Sequence, residues 1–313
     1  MPDPKCLNCL NEITENAILL STSDIQQQAK LISKLVKFTE ENFANIKLPD
    51  FSTEIFKIIA EETGISDPFL DIKQKSNDYF KKLVPEIVNS FEGLTAKKTA
   101  YLLFMYSIAA NMVDFSTGGH SVDIEEIANK IFHFPNEGLA IDDFRKLYEC
   151  INKADKIIYL SDNCGEVVID NLVVEFLKNV LNKKVYLGLK GGPVANDCTI
   201  RDFERDGLQF NATETFIVSS SFGYNLDETT EKFKQLLKDA DLLIVKGQSN
   251  YETTLNNLVR HKDFHFPPIF CVLRTKCEVI TKHLGVPIGS NVIKQMYPSS
   301  NKTKIKEIID CIG

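Results

Sequence analysis

The stretch from Lys156 to Asp197 constrains the fold of this chain most, because apolar runs alternate there with polar turns. Residues 156–161 (KIIYLS) have the length and composition of a buried strand, and residues 167–181 carry apolar side chains at helical spacing. Residues 185–189 (VYLGL) have the pattern of a second strand. Two strands joined by a helix normally lie parallel, so the stretch predicts a βαβ unit.

Both of these strands end in a polar turn that contains an Asp beside an Asn. Asp162 and Asn163 follow the first strand, and Asn196 and Asp197 follow the second. Ligands of parallel sheets bind beyond the carboxyl ends of the strands, so we expect Asp162 and Asp197 at one edge of the domain. Carboxylate and amide oxygens suit a hard divalent cation such as Mg²⁺ or Mn²⁺. The alternative is that these residues only cap helices.

Three more apolar runs of strand length follow, at residues 215–219, 241–245 and 269–273. The polar residues at their ends are Ser219 to Ser221, Lys246 to Glu252, and Arg274 to Lys276. Cationic side chains at the same edge as the carboxylates would balance a metal and neutralise phosphoryl oxygens, and glycines there would let backbone N–H groups approach an anion. For a single lysine, a solvated loop charge is the simpler interpretation.

The N-terminal half has a different pattern. Residues 21–154 alternate helical stretches with short breaks and show no convincing strand, whereas strands and helices alternate after Ala154. We therefore predict an all-α domain over residues 1–150, followed by an α/β domain with a mostly parallel sheet over residues 151–313.

Residues 101–115 form an unusual helical stretch, apolar on nearly every side. Asn111 and Asp114 lie three positions apart and therefore on one face of it. An unpaired buried Asp is costly, so the two side chains need partners. Either they brace the domain junction through internal hydrogen bonds, or their face lines a cleft beside Asp162.

Composition and charge narrow the possible partners and the compartment. The net charge of -7 argues against nucleic acid as a partner, although a small lysine patch could still bind a small phosphorylated substrate. The sequence has no apolar run of about 18 residues and its N-terminus lacks the form of a signal peptide, so we expect a cytoplasmic protein that does not enter a membrane. The oligomeric state stays open.

The eight cysteines are expected to be reduced in that compartment. Cys198 and Cys271 lie in or beside apolar strands and are expected in the core. Cys6 and Cys9 have C-x-x-C spacing at the start of a helical pattern, where we favour a structural role. A metal or redox site would need a distant thiol such as Cys311, or a histidine. No G-x-G-x-x-G, P-loop or G-x-S-x-G motif occurs, which disfavours classical dinucleotide binding, P-loop chemistry and the nucleophile elbow.

The motifs at the strand ends resemble those of a known family. They are Asp162-Asn163-x-Gly165-Glu166, Gly191-Gly192-Pro193-x-x-Asn196-Asp197, Lys246-Gly247-Gln248-x-Asn250-Tyr251-Glu252, and Arg274-Thr275-Lys276 followed by Leu284-Gly285-Val286-Pro287. The family is that of the metal-dependent damage-control phosphatases, formerly a domain of unknown function, related to acidic-residue methyltransferase-like proteins and to the C-terminal domain of pantothenate kinase 4-type proteins. Asn111-x-x-Asp114 also resembles a family feature, and Cys6-x-x-Cys9 resembles its compact prokaryotic-type branch.

The resemblance implies a helical N-terminal domain on a three-layer, Rossmann-like α/β domain. It implies a divalent metal (Mg²⁺, Mn²⁺, Co²⁺ or Ni²⁺) at Asp162, Asn163 and Asp197. Cys164 departs from the family, which more usually has a small residue such as Ala or Ser at this position. The substrate-contacting positions predicted from the strand ends and the resemblance together are Asn111, Asp114, Gly165, Asn196, Ser219, Lys246, Gln248, Asn250, Tyr251 and Glu252.

The expected function is therefore that of a divalent-metal-dependent phosphatase acting on small phosphorylated metabolites, such as sugar phosphates or damaged phosphometabolites. Lys276 and Lys246 would stabilise charge on the transferring phosphoryl group, assisted by backbone amides around Gly165 and Gly191. Glu166 or Asp197 would orient the attacking water.

Two rival functions stay open at the level of sequence. One is an S-adenosylmethionine-dependent carboxyl methyltransferase, which the missing glycine fingerprint disfavours. The other is a non-catalytic metal- or metabolite-binding protein.

Overall fold

The computed structural model describes residues 5–43, 45, 48–111 and 130–297. The helices in chain order are α1 (Cys6–Ser21), α2 (Ile25–Asn42), α3 (Leu48–Thr63), α4 (Leu70–Asn89), α5 (Ala96–Ala110), α6 (Phe144–Lys153), α7 (Glu166–Asn179), α8 (Ile200–Arg205), α9 (Glu231–Asp239), α10 (Gly247–Arg260) and α11 (Glu278–Leu284). A single 3-10 turn at Phe134–Glu137 is described between α5 and α6. None of these helices is long and apolar enough to cross a membrane.

The described strands form one seven-stranded sheet in the order β1-β7-β6-β5-β2-β3-β4. The strands are β1 (Ile141–Asp142), β2 (Lys156–Leu160), β3 (Lys184–Leu189), β4 (Glu214–Ile217), β5 (Leu242–Lys246), β6 (Ile269–Arg274) and β7 (Asn291–Tyr297). Strands β2 to β6 are mutually parallel, whereas β7 runs antiparallel to β6 and pairs in parallel with β1. In register, Leu160 of β2 lies opposite Gly188 of β3 and Val245 of β5, so the carboxyl ends of the central strands are level.

Helices cover both faces of the sheet. Successive side chains of a strand point to opposite faces, and β2 shows this period of two: Ile157 and Tyr159 enter the core under α4 to α7, and Ile158 and Leu160 enter the core under α9 to α11. Both faces are buried, which explains why the strands are almost continuously apolar. The expected three-layer α/β fold with a mostly parallel sheet is confirmed.

Part of the N-terminal helical region shares a core with the sheet. Helices α4 and α5 pack on α7, and their buried residues belong to the same cluster as the strand side chains. Helices α1 to α3 pack mainly on one another, around Phe51, Ile55 and Phe69. Of the N-terminal helices, α4 and α5 therefore pack directly on the α/β layers, whereas α1 and α2 do not.

The five strands predicted from residues 156 onward are confirmed, with bounds shifted by at most a few residues. Two strands were missed. β1 has only two residues, too few to show any periodicity, and it lies within the region predicted to be all-α. β7 carries Asn291, Lys294 and Gln295 and pairs antiparallel with β6, and its sequence lacks the apolar run of the others. The domain boundary near residue 150 stays a prediction.

Candidate active site at the carboxyl ends of the central strands

The direction of strand connection changes between β2 and β5, and the predicted site residues collect there. The chain passes from β2 to β3 on one side, while β5 lies on the other side of β2. Such a switch point opens a crevice beyond the carboxyl ends of the strands, where ligands of open α/β sheets bind. Asp162 follows β2 at this crevice and Gly247 follows β5.

The polar turns after β2 and β3 pair directly with each other. Asn163 and Asp197 form an isolated antiparallel bridge, and the backbone N–H of Cys198 donates to the carbonyl oxygen of Asp162 at 2.8 Å. The sequence prediction that Asp162 and Asp197 lie at the same edge of the sheet is confirmed. The pairing fixes the two turns relative to each other through the backbone, independently of any ligand.

The two carboxylates lie in an environment that disfavours their negative charge. Burial raises the pKa of Asp162 well above its ordinary value, and the charges of Asp197 and Glu166 raise it further, while Lys276 and Lys246 oppose the shift. Burial also raises the pKa of Asp197. Buried carboxylates that repel one another are costly, so a cation bound between them would relieve both effects.

Lys190, which sequence reasoning did not select as a site residue, lies beside Asp197. Its buried ammonium donates to the backbone oxygens of Ser221, at 2.8 Å, and Gly223, and lies 3.5 Å from Asp197 Oδ2. Burial lowers the pKa of Lys190, and the charge of Asp197 opposes that effect. Asp197 Oδ2 is buried and accepts no hydrogen bond within the described part of the chain. This oxygen is therefore available to a ligand.

The amide of Asn163 is oriented by two carboxylates. Its Nδ2 donates to Asp162 Oδ2 at 2.9 Å and to Glu166 Oε2 at 3.3 Å. Because the orientation of an amide follows from its hydrogen bonds, this arrangement directs the carbonyl oxygen of Asn163 away from both acids. Asn111, which follows α5, also donates to Asp162 Oδ2, at 3.3 Å, and to Glu166 Oε2.

These groups fit a hard divalent cation. No three His, Cys, Asp or Glu side chains among the described residues cluster closely enough to hold a metal by themselves. The protein would supply the carboxylates of Asp162 and Asp197 and the amide oxygen of Asn163. Mg²⁺ sites in phosphate chemistry commonly combine one or two carboxylates with waters and phosphate oxygens, which matches this donor set.

A network of buried charges lies beneath the candidate cation site. Glu166 Oε2 accepts from Asn111 and Asn163, and Oε1 accepts from Lys246. The Lys246 ammonium also contacts Asp170 Oδ1, at 3.0 Å, and Ser107 Oγ, at 2.5 Å. The desolvation that would lower the pKa of Lys246 is outweighed by these two acids, so the ammonium stays charged.

The network corrects two predicted roles. Glu166 and Lys246 are almost completely buried, and their charged atoms are engaged with protein groups. Glu166 is therefore not placed to orient an attacking water, and Lys246 is not placed to contact a phosphoryl group. They act on the site through the side chains that they hold, chiefly Asn163 and Asn111.

Asp170 belongs to the same network and was missed in the sequence. Its Oδ1 accepts hydrogen bonds from Ser107 at 2.6 Å, Tyr159 at 2.7 Å and Lys246 at 3.0 Å. Burial raises the pKa of Asp170 to about 6, and Lys246 opposes the shift. The available signal was an acid four residues after Glu166, on the face of α7 that is otherwise apolar.

A second cluster borders the crevice from β6 and α10. The side-chain oxygen of Gln248 accepts from the backbone N–H of Lys276 at 2.7 Å. The Lys276 side chain is exposed, and its charge lowers the pKa of Asp162, so it lies near the carboxylate pair. Glu252 lies one turn after Gln248 on α10, and burial raises its pKa to about 7. Of the predicted cationic residues, Lys276 alone combines exposure with proximity to Asp162.

Asn250 and Tyr251 do not face the crevice as predicted. Asn250 Nδ2 donates to the backbone oxygens of Ser161, at 3.1 Å, and Lys246, at 2.8 Å, and so ties the ends of β2 and β5 together. Tyr251 is fully buried and its hydroxyl lies 2.6 Å from His283 Nδ1. The prediction treated residues 248–252 as a loop in which every residue contacts the substrate. These residues lie on a helix, where neighbouring side chains point in different directions, so too many contacts were predicted.

The predicted anion-binding amides are also engaged within the protein. The N–H of Gly165 donates to Asn77 Oδ1 at 2.6 Å, and the N–H of Gly191 donates to the backbone oxygen of Ser219 at 2.9 Å. The Ser219 hydroxyl donates to the backbone oxygen of Gly223 at 3.1 Å. These groups hold the loops around the crevice in place. They are not free to stabilise the charge of a bound phosphate, so other residues would have to do so.

Three further predictions have different outcomes. Asn196 lies in the turn with Asp197, and its backbone oxygen accepts from Cys164 N–H at 2.9 Å. Asp114 lies outside the described residues, so the contact predicted for it stays a prediction. Cys198 and Cys271 are fully buried, as expected for core residues.

Cys6 and Cys9 lie on the first turns of α1 and form no disulfide with any other described cysteine. A metal or redox role for this pair stays a prediction.

Comparison with known proteins places these features in a family context. The sequence model of the family described as damage-control phosphatase ARMT1-like domain matches residues 3–292. A damage-control phosphatase of Pyrococcus horikoshii is 28% identical over 289 residues, covering 92% of this chain and 96% of that protein. A damage-control phosphatase of Archaeoglobus fulgidus is 28% identical over 294 residues, covering 93% of this chain and 98% of that protein. The crystal structure of a DUF89 family protein from P. horikoshii matches with a TM-score of 0.80 at 26% identity, covering 95% of this chain and 99% of that one.

Proposed function

This chain belongs to the family of ARMT1-like damage-control phosphatase domains, and from that premise we propose that it hydrolyses small phosphorylated metabolites with the help of a divalent cation. The observation that carries the proposal is the pairing of the Asp162 and Asp197 turns at the switch point of the sheet, where one buried carboxylate oxygen accepts no hydrogen bond from the described residues. A buried anionic cluster at that position suits a cation, and a cation bound there would in turn attract a phosphate group.

Asp162, Asn163 and Asp197 would hold the cation. When bound, a divalent cation supplies Lewis-acid polarisation of a phosphoryl oxygen and lowers the pKa of a bound water. The network beneath the site engages the amino group of Asn163, since Glu166 and Asp162 both accept from it, and leaves the carbonyl oxygen for the cation. The protein therefore presents its oxygen donors in a fixed arrangement before any ligand arrives.

The remaining chemistry falls to residues at the mouth of the crevice. Lys276 neutralises charge on the transferring phosphoryl group, because its exposed ammonium lies close enough to Asp162 to influence that carboxylate. Asp197 would hold the cation through one carboxylate oxygen, and its other oxygen, Oδ2, accepts the proton of the attacking water. Oδ2 is buried and lies 3.5 Å from the Lys190 ammonium. The water oxygen forms a bond to phosphorus, the ester P–O bond breaks, and the leaving oxygen takes a proton from solvent.

The substrates are small monoesters, such as sugar phosphates or damaged phosphometabolites. The net charge of -7 argues against a nucleic acid as the substrate. The curated relatives from P. horikoshii and A. fulgidus carry the name damage-control phosphatase, which supports this substrate class.

Phosphate release from a panel of phosphate monoesters tests the proposal, with purified protein in EDTA or in Mg²⁺, Mn²⁺, Co²⁺ or Ni²⁺. We expect release that needs a cation and that Asp162→Asn abolishes. Asp155→Asn is the matched control, because Asp155 immediately precedes β2 and pairs with Lys184 at the surface, whereas Asp162 follows the same strand. No release under any condition, from folded protein that binds S-adenosylmethionine, would instead favour a methyltransferase.

A further inference from the structure

One face of α4 packs directly on the loops that carry the candidate cation ligands. Lys73, Ser76, Asn77 and Phe80 lie at helical spacing on this face, and all four are buried. A Cβ on Gly165 would lie 3.0 Å from both Ser76 Cβ and Phe80 Cδ2, so the turn after β2 is in contact with α4. Helix α4 thus forms the wall behind this turn.

Asn77 links that turn to α8 through two hydrogen bonds. Its Oδ1 accepts from the N–H of Gly165 at 2.6 Å, and its Nδ2 donates to Asp206 Oδ2 at 2.7 Å. Gly165 has a φ of +83°, directly before α7, two residues after Asn163. Asp206 ends α8 and also accepts two hydrogen bonds from Arg205, at 2.6 and 2.7 Å. Both polar atoms of the Asn77 side chain are therefore hydrogen-bonded, Oδ1 to the turn after β2 and Nδ2 to the residue after α8.

Lys73 makes the corresponding link to the turn after β3. Its buried ammonium donates to Asp67 Oδ2 at 2.9 Å and Asp202 Oδ2 at 3.3 Å. Burial opposes the charge of Lys73, but these two acids outweigh it and raise its pKa. Asp202 accepts from the backbone N–H and hydroxyl of Thr199, which comes two residues after Asp197.

We propose that Asn77, supported by Lys73, is a positioning residue that holds the backbone of the Asn163 turn in the orientation that cation binding needs. The inference rests on the proposed function. Asn77 touches neither carboxylate and lies too deep to meet a substrate, so it acts through the backbone of Gly165. Its contribution to the site is geometric: it holds one turn against α8, which begins directly after the other.

A role in folding alone would predict a loss of stability without a change in the site. The test therefore compares variants that differ in the Gly165 contact. Asn77→Leu removes the acceptor of the Gly165 N–H and the donor to Asp206, and it keeps the number and branching of the side-chain heavy atoms. The double variant Asn77→Asp with Asp206→Asn exchanges donor and acceptor and keeps an acceptor for Gly165 and a hydrogen bond between positions 77 and 206. It loses one of the two hydrogen bonds from Arg205 to residue 206. Lys81→Ala is the control, since Lys81 binds the backbone oxygen of Asp206 at 2.9 Å without touching Gly165.

Mn²⁺ binding is measured by calorimetry, kcat and KM are measured separately on the best ester, and unfolding is followed by circular dichroism. We expect Asn77→Leu to weaken Mn²⁺ binding and lower kcat, each by about 10- to 100-fold, with KM for the ester nearly unchanged. The double variant should recover both to within about 5-fold, and Lys81→Ala should leave both unchanged. Should Asn77→Leu not fold, Asn77→Ser replaces it with the same expectations.

The inference fails, and the proposed function stands, if the wild-type protein binds Mn²⁺ and hydrolyses the ester and folded Asn77→Leu has the same Mn²⁺ affinity and kcat. It also fails if Lys81→Ala loses as much Mn²⁺ affinity as Asn77→Leu, or if the double variant recovers stability but not affinity. A wild-type protein that neither binds Mn²⁺ nor hydrolyses any ester overturns the proposed function and this inference together.

Discussion

Gly247 and Asp162 approach each other so closely that a Cβ added at position 247 would lie 1.9 Å from Asp162 Oδ2. Gly247 has a φ of +77°, in the region that favours glycine, and it begins α10 directly after β5. The backbone at the end of one central strand therefore forms the wall against the carboxylate at the end of its neighbour. The side chain of Asp162 cannot move towards β5, which restricts it to the crevice.

Gly247→Ala is expected to abolish most activity, because the added methyl group displaces Asp162. A displacement of about 1 Å in a catalytic site can cost about 100-fold in rate. Gly64→Ala is the control: Gly64 has a φ of +75°, and a Cβ added there would meet nothing within 4 Å, so the substitution adds backbone strain alone. We expect each variant to lose about 1–2 kcal/mol from strain, with a further loss and inactivation only at position 247. Equal activity of the two variants would refute the steric explanation.

Lys246→Met is expected to destabilise the fold by about 3–5 kcal/mol near neutral pH, because Glu166 and Asp170 lose their buried counter-ion. The loss should shrink as pH falls from about 8 to about 5, since burial raises the pKa of Asp170 to about 6 and its protonation removes one of the two charges that need the ammonium. Chemical denaturation at about pH 8 and about pH 5 measures the difference. Lys184→Met, which removes a solvent-exposed pair with Asp155, should leave the stability nearly unchanged at either pH. A loss at position 246 that is independent of pH would contradict the assignment.

Glu252→Gln is expected to stabilise the protein at high pH. Burial raises the folded-state pKa of Glu252 to about 7 from an ordinary 4.5, so the folded state holds this proton more tightly than the unfolded state. Wild-type stability therefore falls as pH rises from about 4.5 to about 7, by at most about 3 kcal/mol for one group, and by less here because Glu252 is only partly buried.

The glutamine variant lacks this titration, so the two proteins should differ little near pH 4 and most near pH 8. Unfolding free energies across that range provide the measurement. Glu204→Gln, on the exposed surface of α8, serves as the control. A benefit of Glu252→Gln that is the same at every pH would show that the carboxylate charge is not its source.

The geometry of the carboxylate pair was predictable because it follows from topology. Apolar runs locate the strands, and parallel strands place their carboxyl ends together, so Asp162 and Asp197 could be assigned to one edge from the sequence alone. For Asn111 the sequence predicted that the side chain needs a polar partner, and contact with the cleft beside Asp162 was one of two alternatives. The structure shows that contact.

The depth of each polar side chain could not be predicted in the same way. Lys246, Lys73 and Asn250 are ordinary polar residues in the sequence, yet each is buried with all of its contacts inside the protein. Burial of a charge depends on which acids the folded chain brings to it, and Lys246 meets Glu166 and Asp170 from another element. A strand-end motif therefore mixes residues that face the crevice with residues that support it from below.

The position of a bound cation tests the central claim most directly. Crystals of the protein soaked in Mn²⁺ can be studied by anomalous scattering, with Asp197→Asn crystals as the control. We expect one peak at about 2.0–2.6 Å from the carboxylate oxygens of Asp162 and Asp197 and the amide oxygen of Asn163, and its loss or weakening in the variant. A peak at Cys6 and Cys9 alone, or no peak in crystals of protein that hydrolyses esters in Mn²⁺, would contradict the assignment of the site.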